Sequence, residues 1–282
     1  MKASLKKELL KARNGKYAVP AFNFDNLEMM KGIIEAAEEE KAPVILMVTE
    51  SAAKYMGLDL VFSFANTAVK NSTVPIVLHW DHGFDINLIK RAVDAGFSSV
   101  MLDSSLKPFE ENVKETREVV NYSRKKGVEI ESEIGHVGGK EDDRNSNSKG
   151  YTNIDEAIKF EQLTNVDALA ISIGTSHGLF KGEVNLQFDL LKDIANKIET
   201  PLVLHGSSQV PLEDLKKAIE LGITKINIGT DLKIACAQGI QQWFKENDNG
   251  FDARKYGRMG IDFVKKEAIK KIRAFNANNK AC

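Results

Sequence analysis

A short apolar or β-branched run, a polar turn and a helical stretch recur eight times along the chain. The runs fall at 17–22, 43–48, 74–79, 98–103, 128–133, 166–173, 201–205 and 223–228. The third, Val74 to Leu78, is apolar on both faces, as in a buried parallel strand. Helical periodicity fills the gaps. Leu27, Met30, Ile33, Ile34 and Ala37 share one face, as do Leu88, Ile89, Ala92 and Val93, and Phe188, Leu191, Ile194 and Ile198. Ala95-Gly96, Lys126-Gly127 and Leu221-Gly222 stop helices just before strands, where a left-handed cap is expected. Eight such units in 282 residues point to an α/β fold, a (β/α)8 TIM barrel, with 1–282 as one domain. A short amphipathic helix at 4–14 precedes it. A last helix carrying Phe263, Val264, Ile269, Ile272 and Phe275 follows, expected to pack on the barrel or on a partner subunit. A doubly wound open sheet is the alternative, but the turn Phe22-Asn23-Phe24-Asp25-Asn26 lacks the glycines of a dinucleotide site.

The net charge of −1, with mixed signs, offers no electrostatic footprint for nucleic acid or an anionic membrane. Cys236 and Cys282 are too few for a disulfide framework. No stretch approaches the roughly 20 apolar residues of a membrane span, and the first residues lack a signal-peptide core. A soluble, reducing, cytoplasmic setting is expected.

The polar chemistry collects at the carboxyl ends of the runs, where a barrel carries its active site. In order these are Asn23; Thr49 and Glu50; His79, Asp81 and His82; Asp103; Glu131, Glu133 and His136; His177; His205; and Asn227. All five histidines lie at or just past a run. Three neutral imidazoles with an open fourth position make a catalytic zinc site. The candidates are one of His79 and His82, together with His177 and His205. His82, past the apolar run, is the better ligand, and His79 reads as a core residue. Asp81 is placed for proton transfer, or else caps a helix. Asp103 and Glu133 read as partners of the ligands or as an alternative metal position.

Two loops suit a phosphate. Gly206-Ser207-Ser208 follows the seventh run, and Asn227-Ile228-Gly229-Thr230 follows the eighth and opens a helix. Small residues leave backbone N–H groups accessible, and a helix N-terminus favours an anion. Gly178 and Lys181, after the sixth run, can close the site from the side. The long polar stretch 138–151 is unusual inside a barrel, and such loops are often functional.

The chain resembles the class II, zinc-dependent fructose- and tagatose-bisphosphate aldolases over nearly its whole length. The resemblance rests on Ala21-Phe22-Asn23-Phe24-Asp25-Asn26-Leu27-Glu28, Leu78-His79-Trp80-Asp81-His82-Gly83, Glu131-Ser132-Glu133-Ile134-Gly135-His136-Val137-Gly138-Gly139, Gly174-Thr175-Ser176-His177-Gly178 and Lys225-Ile226-Asn227-Ile228-Gly229-Thr230-Asp231. It implies that His82, His177 and His205 bind catalytic Zn²⁺. Asp103 and Glu133 match a second divalent or alternative zinc position, and a monovalent cation near the phosphate is common in the family. Asp81 matches the catalytic acid/base, and Glu141 a loop glutamate that moves a proton at the triose carbon. Gly178, Gly206 to Ser208 and Asn227 to Thr230 match dihydroxyacetone-phosphate contacts, and Thr49 a residue near the aldehyde. The implied activity is reversible retro-aldol cleavage of fructose 1,6-bisphosphate in glycolysis, with phosphorylated ketose and triose phosphates as partners. No Schiff-base lysine is required, and Lys225 reads as structural. A homo-oligomer, dimer or tetramer, is expected.

Ser207, Gln209 and Ser104 depart from the family's usual loop residues, and Lys233 stands where fructose-specific members often have arginine. These departures bear on the sugar, with tagatose 1,6-bisphosphate the alternative substrate. A metal-dependent barrel hydrolase would carry His-x-His after the first run, where this chain has Asn23-Phe24-Asp25. A non-catalytic phosphosugar-binding barrel would have lost Asp81 or a ligand histidine, and none is missing.

Overall fold

The computed structural model describes residues 1–141, 144–146, 150–178, 185–208 and 210–281, with only the backbone described at 140, 141 and 144–146. Eight strands close into a parallel barrel. They are β1 (Val19–Asn23), β2 (Val44–Thr49), β3 (Ile76–Gly83), β4 (Ser99–Leu102), β5 (Glu129–Ile134), β6 (Ala168–Ile171), β7 (Leu202–Leu204) and β8 (Ile223–Ile228). Each pairs with its neighbour in sequence, and β8 returns to β1 through Val19 opposite Lys225 and Ala21 opposite Asn227. Every residue of these strands is buried apart from the half-buried Glu129 at the start of β5. Strands covered on both faces explain why the sequence shows continuous apolar runs rather than alternation.

Around the barrel lie α1 (Leu5–Gly15), α2 (Leu27–Glu39), α3 (Glu50–Met56), α4 (Leu58–Asn71), α5 (Ile86–Asp94), α6 (Phe109–Arg124), α7 (Ile154–Thr164), α8 (Phe188–Ala195), α9 (Leu212–Glu220), α10 (Thr230–Glu246) and α11 (Ala253–Ala274). Ser4, Asn26, Thr49, Asp85, Asn153 and Asp252 cap their helices, each side chain accepting from a first-turn N–H. The cap of α5 is thus Asp85, which leaves Asp81 without that role. Gly96, Gly127 and Gly222 have φ of 85°, 69° and 121°, the left-handed stops expected before strands.

The helix α1 closes the N-terminal end of the barrel. Its Leu5, Leu9 and Ala12 are fully buried. Ser4 donates to Glu129 at 2.6 Å, Lys6 pairs with Asp167 and Arg13 donates to the Glu199 carbonyl. That leaves the opposite end open for chemistry. At the far end of the chain, α11 packs on its own barrel rather than serving only a partner. Val264, Ile272 and Phe275 are fully buried. The α10–α11 crossing is close: a Cβ on Gly239 would stand 2.5 Å from the Met259 carbonyl oxygen and 3.0 Å from Phe263. Gly239→Ala is expected to cost about 1–3 kcal/mol despite better helix propensity, because backbone must move. A thermal unfolding midpoint equal to or above that of the parent would contradict so close a crossing.

Two local features differ from the sequence expectation. The third strand does not end at His79 but runs through Gly83, with a register shift against β4 between Trp80 and Gly83. The stretch after β5 is not one open loop: Gly139–Glu141 and Arg144–Ser146 pair as an antiparallel ribbon. Among the described residues, no helix is long and apolar enough to cross a membrane.

Candidate active site

A cleft opens at the carboxyl ends of the barrel strands. Asn23, Thr49, Asp81, His82, His177, Gly178, Gly206, Ser207, Ser208, Asn227, Gly229 and Thr230 line it, together with Lys233. Ile228 lies among these in sequence, but its side chain is fully buried and does not line the cleft. His205 is also fully buried, just beneath the lining. Lys181 and Gln209 lie outside the described residues. Glu141 falls in the ribbon, and its side chain is likewise outside them.

The strand β3 delivers two of the central groups by breaking its own alternation. Period 2 sends His79 and Asp81 inward and Trp80 outward, where it packs with Phe62 and Phe97. His82 would follow Trp80 outward. Instead His82 adopts φ of 43°, a left-handed conformation costly for a non-glycine residue. That re-aims its ring to within 4.9 Å of His177 and 4.6 Å of His205, centroid to centroid. Two features hold the turn. A Cβ on Gly83 would come within 2.6 Å of Ile89 and of the Met101 carbonyl, so the chain here lies against α5 and β4. The buried Glu50 carboxylate accepts from the Phe84 and Asp85 backbone N–H groups at 2.7 and 2.8 Å. Sequence reading placed Glu50 at a strand end and gave it no task.

His82, His177 and His205 each offer a nitrogen within 4.8 Å of the others; His82, Asp103 and Glu133 form a second such group. Each histidine with a described carboxylate partner is oriented by it. His82 Nδ1 lies 3.1 Å from Asp103 Oδ2, so a neutral ring bonded there carries its proton on Nδ1 and turns Nε2 toward the cluster. Burial raises the Asp103 pKa, but His82 and Ser105 outweigh it and hold the carboxyl below its usual range. His205 Nε2 lies 2.8 Å from Glu131 Oε1, which leaves Nδ1 facing Glu133 Oε2 at 3.2 Å with neither atom hydrogen-bonded. An unprotonated nitrogen opposite a carboxylate oxygen is an electron-rich pair that a shared cation would relieve. Burial alone lowers the His205 pKa; Glu131 and Glu133 outweigh it and raise it, which is the same demand for positive charge. The donor set of imidazoles and carboxylates therefore fits a zinc-like divalent ion.

His79 stays out of this cluster. It is fully buried, bonded at Nδ1 to Ser99 Oγ at 2.7 Å, and burial followed by the Lys225 charge pushes its pKa down to about 3. His136 does not line the cleft; its Nδ1 lies 3.1 Å from Ser105 Oγ, and that hydroxyl donates to Asp103 at 2.7 Å. Asp81 sits at the cleft floor, 1% exposed. Its two oxygens accept from Asn23 Nδ2 at 2.8 Å and Asn227 Nδ2 at 3.2 Å, which fixes the carboxylate plane. Those two amides were legible as strand-end residues, not as a clamp on Asp81.

The loops after β5, β6 and β7 are packed against one another. His177 donates its N–H to the Gly138 carbonyl at 2.9 Å, and Gly139 bridges His177. A Cβ on Gly139 would lie 2.4 Å from the His177 carbonyl oxygen. Gly206 has φ of 63° and sits so that a Cβ would lie 2.6 Å from the Ser176 carbonyl carbon. The helix α10 begins at the cleft with Gly229 at its N-cap, which supplies no side-chain bond to the first turn. Lys233, one turn on, pairs with Asp25 at 3.1 Å at the cleft rim. Together these provide backbone donors and positive charge suited to an anionic group.

A family model described as "Fructose-bisphosphate aldolase class-II" matches residues 3–280. A fructose-bisphosphate aldolase of Geobacillus stearothermophilus is 42% identical over 281 residues, covering 99% of this chain and 98% of that protein. One from Staphylococcus aureus (strain Mu50) is 40% identical with the same coverage. Among solved structures, the YdjI aldolase from Escherichia coli K12 superposes with a TM-score of 0.89 at 34% identity, over 100% of both chains. The fructose-bisphosphate aldolase from Campylobacter jejuni does so with a TM-score of 0.85 at 25% identity, over 99% of this chain and 97% of that one.

Proposed function

Because this chain belongs to the class II fructose-bisphosphate aldolase family and is therefore a lyase acting on phosphorylated sugars, we propose that it cleaves fructose 1,6-bisphosphate reversibly into dihydroxyacetone phosphate and glyceraldehyde 3-phosphate. His82, His177 and His205 hold a zinc ion, with Asp103 and Glu133 forming a second divalent or alternative position. Bound there, zinc supplies Lewis-acid polarisation of the ketose carbonyl. The observation that carries the reading is the adjacency of the two functions: Asp81, clamped by Asn23 and Asn227, stands one residue from His82 in the same cleft.

The chain's own groups then divide the work. Gly206 to Ser208, the start of α10 and Gly178 bind the phosphate next to the ketone. Lys233 and Thr49 face the aldehyde half. Asp81 takes the proton of the C4 hydroxyl, the C4–O bond becomes the aldehyde carbonyl, and the C3–C4 pair passes into the ketose carbonyl. Glu141 returns a proton to C3, giving dihydroxyacetone phosphate. The ribbon that carries Glu141 is rooted at Gly139 against the peptide of His177, which supports reading its glutamate as the proton donor of this site.

Coupled assay of triose-phosphate release tests this. Chelation is expected to abolish cleavage and added zinc to restore it, while borohydride with substrate leaves the protein unmodified. Cleavage that survives chelation, or a borohydride-trapped lysine, would reject the metal mechanism. Lys233 in place of arginine, with the Ser207 and Gln209 departures, favours a second reading in which tagatose 1,6-bisphosphate is the sugar. One zinc-loaded preparation assayed on both sugars separates them: a higher kcat/KM for fructose is expected, and the reverse order would reassign the sugar while leaving the chemistry intact.

A further inference from the structure

Beneath the cleft lies a closed set of titratable side chains, of which the mechanism above uses only His205. Lys225 on β8, Glu131 on β5, His79 on β3 and His205 after β7 are each 0% exposed. The Lys225 ammonium donates to Glu131 Oε1 at 3.0 Å and lies 2.8 Å from Oε2. Glu131 Oε1 also takes His205 Nε2 at 2.8 Å, and Oε2 lies 3.7 Å from His79 Nε2. Neither Lys225 nor Glu131 lines the cleft, so neither reaches substrate.

A buried ion pair is a poor source of stability, since apolar residues of equal volume commonly do as well or better. What Lys225 does provide is a fixed Glu131. Both oxygens of that carboxylate are tied to the ammonium, and one of them accepts the imidazole N–H. With Nε2 committed downward, His205 can present only Nδ1 upward, toward Glu133 and the cluster with His82 and His177.

We propose that Lys225 is a positioning residue for the metal site: acting through Glu131, it sets the ring orientation and tautomer of His205. The proposal rests on the reading of His82, His177 and His205 as the zinc ligands. Residues that orient a metal-binding histidine typically change metal affinity by about 10–100-fold when removed. Folded Lys225→Met should therefore bind zinc about 10–100-fold more weakly in competition with a chromophoric chelator. The visible spectrum of its cobalt-loaded form should shift, since one ligand is no longer held in place.

Lys225→Met leaves Glu131 without its cation and could fail to fold. The double variant Lys225→Met, Glu131→Gln removes both charges and keeps an amide oxygen near His205, so it serves as the second arm. It is expected to fold and still to bind zinc about tenfold or more weakly. Zinc affinity and cobalt spectrum matching the parent in either folded variant would overturn the proposal. A parent protein that binds neither zinc nor cobalt would instead overturn the metal reading on which it stands, whatever Lys225 does.

Discussion

Asp81→Ala should bind zinc as tightly as the parent and cleave ketose bisphosphate about 10²–10⁴ times more slowly, the range lost when a positioned general base is removed. The two halves of this expectation come from different contacts. Asp81 bonds to Asn23 and Asn227, not to any histidine of the cluster, so its loss leaves the ligands where they are. Removing it also frees both amides, but these line an open cleft and find water. Asp81→Asn adds a second control, because it keeps the side-chain volume and cannot accept the proton, although its amide can accept from only one of the two clamping asparagines. Steady-state turnover beside metal content by competition titration reads both halves. Turnover within a few fold of the parent would move the base to another group.

Gly206→Ala should weaken zinc binding, raise KM and destabilise the fold together. At φ of 63°, alanine costs about 1–2 kcal/mol in backbone strain alone. Its Cβ would also meet the Ser176 carbonyl carbon at 2.6 Å and oxygen at 2.7 Å, and His177 Cδ2 at 3.0 Å. Relieving that overlap adds about 1–3 kcal/mol and displaces the segment that carries a proposed ligand. Gly206 sits at once in the proposed phosphate loop and against His177, so metal and substrate affinities should fall in the same variant. Parent-like zinc affinity alongside a raised KM would mean that the two loops are not mechanically joined.

The eight strands were legible because each is buried on both faces, which writes a continuous apolar run into the sequence. The helix stops were legible because only glycine takes φ of 85° or 121° without cost. The site was legible as a list of strand-end residues and much less so as an arrangement. Nothing in Leu78 to Gly83 announces that His82 leaves the strand's alternation, and strict parity would have sent it outward with Trp80. The clamp on Asp81 draws its amides from β1 and β8, neighbours only after the barrel closes. Glu131 and Glu133 did carry a readable signal: two residues apart on one strand, they face the same way. Followed through, that parity places both carboxylates beside His205, as do Lys225 and Asn227 on β8 for the groups beneath and within the cleft. The long polar stretch showed only its length, because the pairing of Gly139–Glu141 with Arg144–Ser146 leaves little apolar pattern to read.

The contact between Gly139 and His177 has a bearing on how such enzymes can be remodelled. The root of the ribbon is bonded to the very peptide that carries a proposed zinc ligand, with no room between them for even a methyl group. Grafting the ribbon from a relative in order to change the sugar accepted would therefore succeed only if the graft begins beyond Gly139. A junction placed two residues earlier would import a foreign seat for His177 and disturb the proposed metal site along with the old selectivity.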